Sequence, residues 1–268
     1  MSLLRLPEPF DFELSTSRFR VFGIDLANRF VDGALHRAVG GREVRIAEAV
    51  GGVEVEPLDL VTRPVVEQLL GLPFDLPAFY AWTAGDSVLG PIAERLHGYR
   101  PPLQVEPFEA LVTSITAQQI SLIAAVSIRN SLIERFGEQV GNAWAFPTRE
   151  RIARARPEQL FEVGFTRRKA EYAVELARSD LDLHALAELD DDEVRRQIVA
   201  QRGLGPWTAE WFLARYLARP TAWPAGDLAL RKAARDLYGV DVHDLGPRLD
   251  PFQNLSAHHL LTGWLTKP

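Results

Sequence analysis

Apolar and polar positions alternate over the first sixty residues and recur at helical spacing over most of the remainder. Arg18–Asp25, Phe30–Val39, Arg42–Val50 and Val53–Leu58 are alternating or β-branched runs, separated by Ala27-Asn28, Gly40-Gly41 and Gly51-Gly52. Two-residue glycine links favour tight hairpins, so residues 8–60 are expected to form an antiparallel sheet. From Arg63 the period changes. Arg63–Leu70, Leu76–Trp82 and Ser87–Leu96 read as helices, Pro101-Pro102 as a connection, and Pro107 as the start of a helix that continues to Phe136, with a break at Gln118 to Ser121. Thr148 and Thr166 stand where N-caps belong, the latter ahead of a helix over Arg167–Arg178. The acidic run Asp190-Asp191-Asp192-Glu193 suits the positive end of a helix over Val194–Gln201. The pattern predicts an α+β chain: a small N-terminal antiparallel sheet domain with lead-in helices (1–100), a helical domain (101–235), and C-terminal helices that complete the helical body (236–268).

Composition narrows the chemistry. With 47% hydrophobic and 25% charged residues over 268 positions, the chain has ordinary globular proportions. Having no cysteine excludes disulfides, thiolate zinc sites and iron–sulfur clusters. No apolar run approaches the roughly 20 residues that span a bilayer, so no membrane partner is expected. The start, MSLLRLPEPFDFEL, lacks the basic and apolar regions of a signal peptide, and a cytoplasmic, nucleoid-associated location is expected. The net charge is −6, yet residues 149–235 hold 16 basic against 14 acidic side chains, the only net-positive block. That permits a nucleic-acid partner without requiring one.

That block contains the most informative stretch, Gln201 to Ala234. Gly203-Leu204-Gly205 makes a tight hairpin after a polar helix, and Pro206 takes the first position of an aromatic-bearing helix running to about Arg219. Unpaired N–H groups at such a turn and helix start form a phosphate site. Trp207 and Trp211 are four apart, hence on one helix face. Asp227 follows Pro224-Ala225-Gly226 at the head of another apolar helix, where it could serve only as an N-cap or could present a carboxylate from a fixed backbone. Adjacent His258 and His259 point in different directions on a helix and suit packing rather than a metal face.

Gly203-Leu204-Gly205-Pro206-Trp207-Thr208-Ala209 with Asp227 resembles the helix-hairpin-helix DNA glycosylases, and within them the 3-methyladenine DNA glycosylase II branch. Gly164-Phe165-Thr166-Arg167-Arg168-Lys169 and the N-terminal Pro9-Phe10-Asp11-Phe12 extend the resemblance over most of the chain. It implies a two-lobed helical body with a lesion pocket between the lobes. It further implies a monomer acting on double-stranded DNA containing alkylated bases, 3-methyladenine and 7-methylguanine among them. Asp227 is then the catalytic carboxylate, stabilising the oxocarbenium character that develops at the sugar or orienting water. Trp207 and Trp211 would stack on a base that often carries positive charge, with Leu228 and Ala229 as further pocket wall. Gly203, Leu204, Gly205 and Thr208 of the hairpin, with Arg168 and Lys169, would hold the DNA backbone.

In this family the segment corresponding to Thr116–Ser121 fills the gap left by the everted nucleotide, here with Gln119 or Ile120. Family members often hold a cation through hairpin carbonyls, here those of Val199, Arg202 and Leu204; no other cofactor is expected. Lyase members carry a lysine where Trp207 stands, which implies a monofunctional enzyme. Departures from the branch are Gln119 for an apolar residue, Trp211 for a tyrosine, the small pair Leu228-Ala229, and Gln253-Asn254 at the last helix. A non-catalytic DNA-binding module and an oxidised-base glycosylase with lyase activity are the alternatives.

Overall fold

The computed structural model describes residues 2–266, beginning with a five-stranded antiparallel sheet. Its strands are β1 (Ser2–Arg5), β2 (Arg29–Val31), β3 (Ala34–Val39), β4 (Arg42–Ala49) and β5 (Gly52–Glu56), in spatial order β1-β5-β4-β3-β2. All three hairpins are two-residue turns. Val31 pairs with Ala34 across Asp32-Gly33, Val39 with Arg42 across Gly40-Gly41, and Ala49 with Gly52 across Val50-Gly51. Gly40 and Gly41 have φ of 56° and 74°, which suits the twist of the flanking strands. The expected Phe30–Val39 strand is therefore two strands, and β1 was not foreseen.

Arg18–Asp25 is not a strand. Two short helices stand here instead, α1 (Phe12–Thr16) just before the segment and α2 (Arg18–Val21) within it. Asp11 caps the first by accepting from the Leu14 N–H at 2.8 Å. Phe12, Ser15, Thr16 and Phe19 are buried at a spacing of three to four, which is helical and outweighs the local alternation. Phe12 and Phe19 join Leu4, Leu35, Val44, Ile46, Val53 and Val55 of the sheet in one core.

That core also takes Val66, Leu69 and Leu70 of α3 (Thr62–Leu69), and a second core begins at Phe74. Hence α4 (Leu76–Thr83) and α5 (Leu89–Arg95), grouped by sequence with the sheet, pack into the helical body. The body continues with α6 (Pro107–Ala117) and α7 (Leu122–Phe136), then the hairpin β6 (Glu138–Val140) and β7 (Ala143–Ala145). Next come α8 (Arg149–Ala153), α9 (Pro157–Glu162), α10 (Arg167–Arg178) and α11 (Asp191–Val199). The chain closes with α12 (Pro206–Arg215), α13 (Leu228–Tyr238), α14 (Val242–Leu245) and α15 (Gln253–Leu265). The β6–β7 hairpin has three-residue strands, too short for periodicity to register. It is pinned to the N-terminal domain by the Trp144 N–H donating to the Leu26 carbonyl at 3.2 Å.

Thr148 and Thr166 cap α8 and α10 as expected, and Asp190 caps α11, which starts earlier than the apolar pattern suggested. Helix α12 stops at Arg215, short of Arg219, because Ala218 adopts a φ of 53° and the Arg215 and Tyr216 carbonyls are claimed by Gln104 (2.7 Å) and Gln68 (2.6 Å). No helix among the described residues is long and apolar enough to cross a membrane.

Candidate active site

Asp227 is both an N-cap and more than one. Its Oδ1 accepts from the backbone N–H groups of Ala229 (2.9 Å) and Leu230 (3.1 Å), which starts α13. Its Oδ2 accepts from the indole N–H groups of Trp207 (3.2 Å) and Trp211 (3.0 Å) on α12. Four donors converge on one carboxylate, locking its orientation between two helices. The turn before it is tightened by the Asp227 N–H donating to the Pro224 carbonyl at 2.8 Å, with Gly226 lying against Trp207. The four-residue spacing of the tryptophans thus serves to aim both indole N–H groups at one oxygen.

The expected pocket residues are differently disposed. Trp207 is half-buried beside Asp227, whereas Trp211 is 2% exposed and offers little open face. Leu228, the first residue of α13, is 71% exposed, and Ala229 is half-buried. Both adjacent histidines pack as expected. His259 is wedged between Phe79 and Tyr99 and pushed down to about 4 by burial, offset in part by its hydrogen bond to the Leu255 carbonyl.

Gly203 has a φ of 83°, and a Cβ there would run into the Tyr172 ring, so both backbone and space demand glycine. The N–H groups of Gly203, Gly205 and Trp207 donate to no acceptor among the described residues. Two expected contacts change. The Leu204 N–H is used within the hairpin, donating to Gln201 at 3.1 Å, and its side chain is buried in the core. Thr208 is 1% exposed, and its N–H donates to the Gly205 carbonyl at 2.9 Å, so it offers nothing to a phosphate. Gly203→Ala is expected to destabilise the protein by about 1–3 kcal/mol, read as a lower urea midpoint, and to weaken duplex binding.

The basic segment divides similarly. Arg168 is exposed and makes no ion pair among the described residues, so it stays available to a phosphate. Lys169 does not: its ammonium donates to the Thr116 (2.9 Å) and Gln118 (2.6 Å) carbonyls, closing the C-terminal end of α6. Burial lowers its pKa accordingly. The Gln118 side chain donates to the Gly203 carbonyl at 2.9 Å. The turn between α6 and α7 is therefore tied to both α10 and the hairpin. At its tip Gln119 is exposed with a φ of 57°, while Ile120 is half-buried. The Val199, Arg202 and Leu204 carbonyls accept no backbone hydrogen bond from the hairpin, and the Arg202 side chain pairs with Glu171 at 2.9 Å. No cluster of histidine and carboxylate side chains suited to a metal exists among the described residues.

Three residues that act on the electrostatics of the site escaped sequence reasoning: Arg18, Arg215 and Tyr99. Arg215 lays its guanidinium over the Trp211 ring, 3.5 Å from the centroid. Burial, then the nearby Arg18, hold its pKa well below the usual arginine value, against the pull of Asp227 and Tyr99. Arg215 had a readable signal, since it lies four residues after Trp211. Arg18 did not, because its segment read as a strand.

Residues 112–245 match the profile of the HhH-GPD superfamily, described as base excision DNA repair proteins. The chain is 33% identical over 173 residues to a DNA-3-methyladenine glycosylase of Bacillus subtilis, covering 62% of this chain and 57% of that protein. It is 30% identical over 282 residues to a probable bifunctional transcriptional activator/DNA repair enzyme AlkA of Mycobacterium tuberculosis, covering 97% of this chain and 56% of that one. This chain thus spans little more than half the length of these relatives. The solved 3-methyladenine DNA glycosylase from Archaeoglobus fulgidus superposes with a TM-score of 0.88 at 27% identity, covering 97% of both chains.

Proposed function

The chain belongs to the HhH-GPD superfamily of base excision DNA repair proteins, and on that premise we propose that it is a monofunctional DNA glycosylase. It hydrolyses the N-glycosidic bond of everted alkylated bases in duplex DNA, 3-methyladenine and 7-methylguanine among them. It acts as a monomer on chromosomal DNA in the cytoplasm. The observation that carries the reading is the Asp227 carboxylate held by two indole and two backbone N–H groups beside the hairpin.

A carboxylate offers about four lone-pair directions, and four donors occupy them. None is left to take a proton from water, so the role this geometry supports is electrostatic. A fixed negative charge beside the sugar stabilises the oxocarbenium character that builds as the base departs. Alkylation makes the base a good leaving group, which relieves the protein of activating it. Trp207, Leu228 and Ala229 border the base, and Trp211 supports Asp227 from behind.

The free N–H groups of Gly203 and Gly205 take a backbone phosphate and Arg168 takes another. A cation held by the Val199, Arg202 and Leu204 carbonyls would strengthen the same contact. Gln119, exposed at a turn braced by Lys169 and Gln118, fills the gap in the duplex in preference to the half-buried Ile120.

Trp207 stands where the lyases of this family carry their lysine, and Lys232, one turn into α13, is exposed to solvent. Among the described residues, no amine is therefore placed for a Schiff base. Incubating the protein with methylated DNA and identifying each released base tests the assignment, and borohydride is added to a parallel reaction. Free alkylpurines with no trapped adduct are expected. A trapped covalent adduct would favour a lyase, and no released base at all would leave a DNA-binding module.

A further inference from the structure

Helix α12 holds the segment that carries Asp227 at both of its ends. At the far end the Trp207 and Trp211 indoles donate to Asp227 Oδ2, at 3.2 and 3.0 Å. At the near end Glu210, from the same helix, accepts the Trp223 N–H on Oε2 at 3.1 Å. Between these points lie only Pro224, Ala225 and Gly226. One helix thus grips the run from Trp223 to Asp227 twice, once with an acceptor and once with donors.

The run between the two grips has little slack. The Ala225 N–H donates to the Trp223 carbonyl at 2.7 Å, and the Asp227 N–H to the Pro224 carbonyl at 2.8 Å. Pro224 is buried, and its ring fixes its own φ. Gly226 lies against Trp207, where an added Cβ would stand 3.6 Å from that of the tryptophan. Trp223 is also clamped through its side chain. Its indole N–H donates to the Val242 carbonyl at 2.9 Å, and a Cβ on Gly246 would come within 2.7 Å of the ring. A shift at Trp223 is therefore passed on to Asp227 and not absorbed on the way.

Glu210 is itself held in place. Its Oε1 accepts from Arg195 Nε at 2.6 Å, and Arg195 belongs to α11, the helix that leads into the Gly203–Gly205 hairpin. The Glu210 hydrogen bond raises the Arg195 pKa, and Arg195 also reaches Asp192 at 2.9 Å. The Glu210 side chain is only 19% exposed, so its contacts are partly shielded from water. A hydrogen bond to a charged acceptor is stronger than one between neutral groups. One oxygen of this carboxylate thus serves α11 and the other serves Trp223.

We propose that Glu210 is a positioning residue for Asp227: by holding the Trp223 N–H it fixes the start of the turn that sets the carboxylate against the two indoles. This rests on the glycosylase reading above and adds to it a residue that acts only through another. A fixed charge stabilises the departing sugar only from the right distance, and a misplacement of about 1 Å can cost on the order of a hundredfold in rate.

The test pairs single-turnover release of alkylated purines from methylated DNA, at saturating protein, with the indole N–H resonances of Trp207 and Trp211. Glu210→Ala is expected to lower the rate by on the order of tenfold to a hundredfold. Its affinity for a duplex with an uncleavable abasic-site analogue should not change. Both indole resonances should shift, since both N–H groups report where Asp227 Oδ2 lies. Glu210→Gln, whose amide oxygen still accepts from Trp223, should recover most of the rate and both signals. Arg195→Met leaves Glu210 its bond to Trp223, so the unfolding temperature should fall while the rate stays near wild type.

A folded Glu210→Ala protein that keeps the wild-type rate overturns the proposal, as does a reduced rate with unmoved indole signals. An Arg195→Met rate as low as that of Glu210→Ala also overturns it, because the pairing of α11 with α12 would then be the cause. Should Glu210→Ala fail to fold, Glu210→Asp decides on the same readouts: it keeps a charge for Arg195 and draws the acceptor back from Trp223 by one methylene. A wild-type protein that releases no base removes the glycosylase reading. The indole signals then decide the positioning alone, shifted signals upholding it and unmoved ones overturning it.

Discussion

Asp227→Asn is expected to cut base excision by on the order of 10²–10³-fold or more, the scale seen when one preorganised electrostatic contact to a transition state is removed. Binding to a duplex carrying an uncleavable abasic-site analogue should stay within about threefold, because the hairpin N–H groups and Arg168 do not act through this side chain. The substitution is close to isosteric, and asparagine caps helices about as well as aspartate. Its carbonyl oxygen can keep the Ala229 and Leu230 N–H groups, so α13 should survive. Its amide nitrogen then meets the Trp207 and Trp211 N–H groups, donor against donor, where Oδ2 now accepts both. Turning the amide over only moves the conflict to the helix start. A modest loss of stability, about 1–3 kcal/mol for the stranded donors, should accompany the kinetic loss. Excision, binding and urea unfolding measured side by side separate these effects. Undiminished excision by the folded variant would end the assignment of Asp227.

The parts of this site legible in sequence are those that depend on local backbone chemistry. Gly203 and Pro206 announced a hairpin and a helix start because positive φ and a missing N–H are properties of single residues. The break at Gln118 to Ser121 was visible, and so was the junction at Asp227. Side-chain partners across the fold were not visible. Lys169 looked like a phosphate ligand because basic residues beside a helix start usually face solvent, yet its ammonium closes α6 from α10. Thr208 looked available and is buried, because the helix face opposite the hairpin is core. The spacing of Trp207 and Trp211 was readable, but only the tertiary placement of α13 shows that their N–H groups converge on Asp227. Arg18 was lost through one misread period: R-F-R-V-F alternates locally, while Phe12 and Phe19 are two helical turns apart and face the sheet core. The overall α+β class survived that error, since the glycine-linked hairpins and the helical body do not depend on it.

Removing the Glu109 carboxylate should have the largest effect on stability. Glu109 is 1% exposed on α6 and accepts from Arg37 of β3 at 2.6 Å and from Arg129 of α7 at 2.5 Å. Arg129 also reaches Asp25 at 2.6 Å and Thr113 at 3.2 Å, and Arg37 reaches Asn28 at 2.8 Å. The network joins the sheet domain to the paired helices that carry the Gln119 turn. Glu109→Ala would leave two buried guanidiniums without their shared partner. Breaking such a pair costs about 3–5 kcal/mol, or roughly 10 °C in unfolding midpoint for a chain of this size. The same network sets an acid limit. Burial pushes Glu109 upward, but Arg37 and Arg129 more than offset it, leaving its pKa below the usual carboxylate value. Asp25 is lowered in the same way, its burial outweighed by Arg129. A carboxyl group whose folded pKa is depressed stabilises the fold above its unfolded value, near 4, and loses that contribution as pH falls toward the folded value. Wild-type stability should therefore drop steeply below about pH 4, and Glu109→Ala should flatten that drop while starting from a lower plateau. Thermal unfolding followed from pH 7 to pH 3 checks both. Equal midpoints for the two proteins at neutral pH would show that the network contributes nothing to holding the domains together.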